Sequence, residues 1–238
     1  MAALEQCRVI VFGLGGVGSW CAEALVRSGI GKISLVDSDT VCPSNINRQV
    51  QAISSTIGRL KTETLEERLK DINPSCEITA FPRVFSRDTA EIFDISGADY
   101  VIDAIDSLTH KLDLIETAMA ARLRFFSSMG MAQTLDPTLI RTADIWKTSG
   151  CPLARLVRQG LRKRGFNGHF TAVYSPERLP YPPHEGSTRL SESSFQDESG
   201  TWDSGKKVIN GSVVTVTATA GMVLASLVIR DVYARSIL

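Results

Sequence analysis

Paired cysteines, a charge imbalance and a leader segment are all missing from this chain of 238 residues. Cys7, Cys21, Cys42, Cys76 and Cys151 are scattered, with no C-x-x-C pair. That excludes a tetrathiolate zinc site and makes reduced thiols the expectation over a disulfide framework. Lys plus Arg and Asp plus Glu number 26 each, so any contact with nucleic acid or membrane has to come from a local patch. No basic segment followed by an apolar run and a small-residue cleavage site opens the sequence, so a cytoplasmic location is expected. The chain is long enough to bury a sizeable core as one domain spanning 1–238.

What is present begins with Cys7-Arg8-Val9-Ile10-Val11-Phe12-Gly13-Leu14-Gly15-Gly16-Val17-Gly18-Ser19. A β-branched apolar run breaks into a glycine loop and then into residues of helical composition through Ser28. Gly13, Gly15 and Gly18 stand at the G-x-G-x-x-G spacing. In such a loop the first glycine allows the turn, the second lets backbone approach a phosphate and the third lets helix and strand pack closely. The helix that follows aims free N–H groups at an anion. Lys32 to Asp37 then reads as a strand ending on a carboxylate, about 20 residues past the glycines, where ribose hydroxyls are held. Asp37, Ser38, Asp39 and Thr40 also suit a cap on the next turn, and the two roles are compatible.

A polar loop, Val41 to Gln49, carries Asn45, Asn47 and Arg48, unlike the quick passage to a third strand of a dehydrogenase. Lys61 lies near the start of the next helix, which continues to Ile72; a cation is disfavoured there unless an anion is bound, although the cost is small. Strands are expected at Cys76–Phe81, Tyr100–Asp103, Arg124–Ser128 and Thr138–Ile145, with helices between. Asp103 and Asp106 would fall at the carboxyl edge of the sheet, where a carboxylate can hold magnesium on a triphosphate; Asp106-Ser107 also suits a helix cap. The alternation predicts an α/β, Rossmann-like, doubly wound and mainly parallel sheet with antiparallel C-terminal additions.

From Gly150 the character changes. Cys151 to Gly165 reads as a basic amphipathic helix with Leu153, Leu156, Val157 and Leu161 on one face and Arg155, Arg158, Arg162, Lys163 and Arg164 elsewhere. Residues 180–207 are rich in Pro, Ser, Gly, Asp and Glu and read as a loop that covers a site or is disordered. Val208 to Ile229 carries no charge, yet Asn210, Gly211, Ser212 and three threonines make it a poor membrane span. A strand from Val213 to Ala218 running into a helix from Ala220 to Tyr233, buried in the core or a dimer interface, is expected instead.

The glycine loop, Asp37-Ser38-Asp39, Asn45-Ile46-Asn47-Arg48-Gln49, Lys61 and Asp103-Ala104-Ile105-Asp106 resemble, in order and spacing, the ubiquitin-activating-type (ThiF-type) adenylating superfamily over residues 7–145. The resemblance implies a homodimer binding ATP and magnesium, with Gly16 against the phosphates, Asp37 on the ribose, Asn45, Arg48 and Lys61 at the phosphates and Asp106 at the metal. Gly13, Gly15, Gly18, Asp39 and Asp103 complete the expected nucleotide set, and Arg48, Lys61 and Asp106 the catalytic one. Gly15-Gly16-Val17-Gly18-Ser19-Trp20, Val101 to Ser107, Asp136-Pro137-Thr138, Pro152-Leu153-Ala154 and Val216 to Thr219 are similar to the tRNA threonylcarbamoyladenosine dehydratases. That group uses ATP to activate the carboxylate of a modified anticodon-loop adenosine, which then cyclises with loss of water. Members usually begin with a longer helical N-terminus bearing an arginine for the partner's ATP; here Met1 to Gln6 precede the first strand.

On this reading tRNA is the partner, held through Arg155, Arg158, Arg162, Lys163 and Arg164. The alternative is an adenylyltransferase for a ubiquitin-like sulfur-carrier protein, with Cys151 as nucleophile or persulfide acceptor at a helix start. A third reading is a nucleotide-binding partner protein without turnover.

Overall fold

The structure is a computed structural model that describes residues 2–177 and 211–237. In chain order the elements are α1 (Ala2–Glu5), β1 (Arg8–Phe12), α2 (Gly18–Arg27), β2 (Lys32–Val36), α3 (Lys61–Ile72), β3 (Glu77–Phe81) and β4 (Tyr100–Asp103). They continue with α4 (Leu108–Ala120), β5 (Arg124–Ser128), β6 (Arg141–Asp144), α5 (Pro152–Lys163), β7 (Thr171–Tyr174) and α6 (Val214–Ser236).

The strands form one sheet in the order β3-β2-β1-β4-β5-β7-β6. Every neighbouring pair is parallel except β6 against β7. This is the doubly wound sheet that the alternation implied, with its antiparallel addition confined to the β6 edge. The central strands are apolar on both faces, as strands covered by helices on either side must be. Val9 and Val11 join one core with Leu25, Ile33, Leu35 and Ile102, while Ile10 and Phe12 join the other with Val101, Leu114 and Phe125.

The C-terminal segment departs from the expected strand and helix: Val214–Ser236 is one helix. Val214, Thr215, Val216 and Thr217 favour strand by propensity, but packing decides. α6 lies on α2, burying Val216, Ala220, Leu224, Val228 and Val232. The approach is close at Gly221, where an added Cβ would stand 2.5 Å from the Val17 carbonyl oxygen and 2.9 Å from the Cys21 nitrogen. α6 is long and apolar enough to cross a membrane by length and composition, and these contacts make it a core helix instead. The strand at 171–174 has no counterpart in the sequence expectations, and the strand expected over Thr138–Ile145 begins later, at Arg141. The loop at 180–207 lies outside the described residues.

Behind α2, Glu23 is almost fully buried and accepts from Arg27 Nε at 2.9 Å and Arg68 Nε at 2.6 Å. Burial pushes its pKa up, but the hydrogen bonds from Arg68 and Arg27 outweigh this and hold it below the usual glutamate range. The seam between α2 and β1 depends on Gly18, whose added Cβ would stand 1.8 Å from the Gly13 carbonyl oxygen, a backbone atom. Gly18→Ala is therefore expected to destabilise the fold by about 1–3 kcal/mol, read as a lower midpoint in urea unfolding. An unchanged midpoint would mean that the seam opens freely.

Candidate nucleotide site at the carboxyl edge

The sheet order turns between β1 and β4, so the loops leaving their carboxyl ends diverge and open a crevice. Gly13 begins the first loop at φ +87° and donates its N–H to the Val36 carbonyl at 2.8 Å. A side chain is excluded there twice over: the φ favours glycine, and an added Cβ would lie 2.6 Å from the Ala104 carbonyl oxygen. At Gly15 an added Cβ would meet nothing within 4 Å, so backbone faces open space. Gly16 lies under Arg48 Cγ and Thr217, each 3.1 Å from an added Cβ. The three glycine roles thus separate into a turn at Gly13, an open approach at Gly15 and tight packing at Gly18.

Asp37 ties this loop to β2. Its Oδ2 accepts from Leu14 N at 2.7 Å and its Oδ1 from Asp39 N at 2.8 Å. Each carboxylate oxygen keeps a further lone pair for a ribose hydroxyl. Burial pushes the Asp37 pKa up, and the nearby Lys61 ammonium and the two backbone N–H groups do not fully offset it. Lys61, at the first position of α3 and buried, reaches Asp39 Oδ2 at 2.7 Å and Asp37 Oδ1 at 3.8 Å. The two carboxylates supply the negative charge that its place at a helix N-terminus calls for.

Arg48 is half-buried and donates through Nη1 to the Ser44 carbonyl at 2.7 Å and to Asn47 Oδ1 at 3.0 Å. Trp20 Nε1 donates to the Arg48 carbonyl at 2.9 Å, fixing the loop on α2. Asn45 is buried, with its Oδ1 accepting from Cys42 N at 3.1 Å. Gln51 braces the glycine loop by donating to the Leu14 carbonyl at 2.9 Å. The loop from 41 to 51 therefore packs beneath and beside the glycines, bringing Arg48 to Gly16.

The two acids after β4 differ completely. Asp106 is exposed and makes no hydrogen bond or ion pair with another described residue. Asp103, expected among the nucleotide contacts, is fully buried and engaged: Oδ2 accepts from Lys111 Nζ and Ser127 Oγ, both at 2.6 Å, and Oδ1 from Ile105 N at 3.0 Å. Lys111 is equally buried and also reaches the Ser128 carbonyl at 2.9 Å. Asp103 thus anchors the loop that presents Asp106. Ser107 occupies the N-cap of α4 without a side-chain capping bond.

The basic helix also divides. Arg164 is tied to Asp113 Oδ1 at 2.7 Å and Glu116 Oε2 at 2.9 Å, a cluster shared with Arg87, so its charge is not available as expected. Arg158 is half-buried and donates to Thr148 Oγ1. Arg155, Arg162 and Lys163 remain exposed. Cys151 is buried, with its thiol facing the Gly130 carbonyl at 3.7 Å, which removes it from the role of accessible nucleophile. All five cysteines are free thiols.

Sequence reasoning passed over Lys111, Gln51 and Thr217, which act through contacts that no local pattern announces. An adenine nucleotide fits the open Gly15 backbone, the Asp37 carboxylate and the Lys61 and Arg48 cations. Hard cations take oxygen ligands, and magnesium commonly takes one or two carboxylates plus phosphate oxygens. Asp106 fits that pattern, whereas the described residues hold no cluster of three or more His, Cys, Asp or Glu that could cage a metal alone.

The sequence matches the ThiF family over residues 1–234. It is 43% identical to the tRNA threonylcarbamoyladenosine dehydratase of Bacillus subtilis, covering 74% of this chain and 70% of that one. It is 34% identical to the Escherichia coli enzyme of the same name, covering 97% and 88%. The crystal structure of the Escherichia coli tRNA N6-threonylcarbamoyladenosine dehydratase in complex with ATP superposes with a TM-score of 0.83 at 33% identity, covering 99% of this chain and 89% of that one.

Two outcomes test the site. Lys111→Met strands the buried Asp103 carboxylate and is expected to cost about 3–5 kcal/mol in urea unfolding; a loss below 1 kcal/mol would show that Asp103 is neutral or hydrated. ATP affinity is expected to fall as the pH drops through the raised Asp37 pKa, where an ordinary aspartate stays ionised, because protonation removes the charge and an acceptor. Calorimetric titration across pH checks this, and affinity that stays flat down to the ordinary aspartate range would remove Asp37 from the ribose role.

Proposed function

The chain belongs to the ThiF family, and from that premise we propose that it is an ATP-dependent tRNA threonylcarbamoyladenosine dehydratase. The observation that carries the reading is likeness over nearly the whole chain to an enzyme of that activity, in sequence and in fold. The match over residues 1–234 supports one ATP-binding domain rather than a fusion. The buried Cys151 leaves the sulfur-carrier alternative without its thiol.

A carboxylate is a poor electrophile, and activation at the expense of ATP gives it a leaving group. The neighbouring carbamoyl group on the same modified base then attacks intramolecularly, with the advantage of a high effective concentration. No enzymic nucleophile is needed. The work left to the protein is positioning and charge stabilisation. Asp37 orients the ribose, Gly15 and Gly16 let backbone approach the phosphates, and Arg48 and Lys61 oppose the charge that shifts between phosphate oxygens. Lys61 is held for this by Asp37 and Asp39, so its ammonium is placed before ligand arrives. Magnesium bound with the nucleotide would neutralise phosphate charge, with Asp106 as its protein ligand.

A homodimer in the cytoplasm completes the proposal. The resemblance supports both, as do exposed apolar residues on α6, Met222 and Tyr233, which offer area to a second copy.

The test is mass spectrometry of nucleosides from threonylcarbamoyl-modified tRNA incubated with the protein and Mg·ATP. Loss of one water from the modified adenosine is expected, dependent on ATP. Asp106→Ala is expected to slow it by about 10²-fold or more, on the scale of removing one electrostatic stabiliser. An unchanged mass in the presence of bound ATP would sink the proposal.

A further inference from the structure

The cationic helix α5 carries no acidic residue, in a chain whose charges otherwise cancel. Its apolar side is used up: Ala154, Leu156, Val157 and Leu161 are buried in the protein core. A helix seated this way cannot lay an apolar face into lipid, which disfavours an anionic membrane as its partner. The outward side holds Arg155 and Lys163, both exposed and without a partner among the described residues. Between them the Arg162 guanidinium lies over the Trp146 ring, 5.3 Å from its centroid.

Trp146 is itself fixed. Its Nε1 donates to the Gly168 carbonyl at 2.9 Å, and its backbone N–H donates to Asp144 Oδ1 at 2.9 Å. Asp144, the acid of this neighbourhood, is also engaged by His169 Nδ1 at 2.8 Å. The stack therefore presents a planar cation held in place by an indole, flanked by two unpaired point charges. Planar guanidinium groups and aromatic rings are the platforms on which unpaired RNA bases stack, and unpaired cations are what the phosphates between them need. An acidic protein surface would use the charges but has no use for the plane.

The helix is also aimed. It starts at the carboxyl edge of the sheet, where Cys151 Sγ faces the Gly130 carbonyl just past β5 and Leu153 Cβ stands 3.3 Å from an added Cβ on Gly130. Asp106 leaves β4, the neighbour of β5, at that same edge. We infer that the outer face of α5 is the docking surface for a single-stranded RNA loop, with Arg155 and Lys163 on phosphates and the Trp146–Arg162 stack beneath an unpaired base. The inference rests on the proposed function for the identity of that RNA as tRNA.

The experiment is fluorescence anisotropy of labelled, unmodified tRNA with the full chain, without ATP, across a series of salt concentrations. Replacing Arg155, Arg162 and Lys163 together by Gln is expected to lower the slope of log Kd against log salt by about 2, at about 0.7 for each lost single-strand phosphate contact. Arg164→Gln, which removes a charge already paired with Asp113 and Glu116, is expected to leave the slope unchanged. Arg162→Lys keeps the charge and loses the plane, so the slope should stay while affinity for tRNA falls and affinity for a plain RNA duplex does not. Thermal unfolding of each variant checks that it is folded.

The inference is overturned if the triple variant keeps the wild-type slope, if Arg164→Gln lowers it as much, or if the wild type binds phosphatidylserine vesicles and not tRNA. Because neither ATP nor the modified base is present, this outcome is independent of the dehydration assay. A reduced slope in the triple variant with no loss of water in that assay would keep the docking surface and remove the dehydratase reading.

Discussion

The carbonyl of Gly13 occupies the space that a side chain on Gly18 would need, and the carbonyl of Ala104 the space that one on Gly13 would need. Three segments, the end of β1, the start of α2 and the loop after β4, are thereby stacked backbone on backbone at the point where the sheet order turns. With Cβ atoms at either glycine the loops would separate, by an amount comparable to the distances that decide a phosphate contact. The site is a consequence of that contact. Gly15 is open because Gly13 and Gly18 are closed, and Asp106 borders the glycine loop because Ala104 is pressed against it.

Beneath this contact lies an ion pair that water does not reach. Burying Lys111 and Asp103 costs several kcal/mol of hydration for each ion, and their mutual attraction alone does not guarantee a net gain. The surroundings change the balance: Ser127 Oγ, the Ser128 carbonyl and the Ile105 N–H satisfy much of what the pair leaves over. What the pair adds is specificity. It joins β4, α4 and β5 at one point, so the loop carrying Asp106 has one place to go. A hydrophobic substitute of equal volume could match the stability but would not hold the Ile105 amide.

Much of this was legible in the residues, for physical reasons. Apolar runs bounded by glycine, acid or proline marked β1, β2, β4 and β5 because strands covered on both faces must be continuously apolar. The glycine spacing marked the turn because each glycine answers a separate steric demand. The rest was not local. In Asp103-Ala104-Ile105-Asp106 nothing says which acid faces water; that is decided by Lys111, a residue on the next helix. Arg162 and Arg164 look alike in sequence, yet one stacks on Trp146 and the other is neutralised by Asp113 and Glu116. Val214 to Thr217 have the composition of a strand, and only the groove of α2 facing Gly221 makes them helix.

The distribution of charge follows the same division between surface and support. Acids and bases balance over the chain, but not over its elements: α5 has cations only, while the α4 carboxylates Asp113 and Glu116 bind its last arginine and one from the turn at Arg87–Phe93. That pairing clamps the far end of α5, leaving its unpaired cations nearer the carboxyl edge. At that edge Lys61 is neutralised by Asp37 and Asp39, Lys111 by Asp103, and Asp106 is left unpaired. A polyanion held along α5 would be repelled by a carboxylate at the end of its path unless a cation stood between them. An unpaired Asp106 is therefore easier to reconcile with a bound magnesium ion than with a bare site facing RNA, and the electrostatics of the two surfaces support one another.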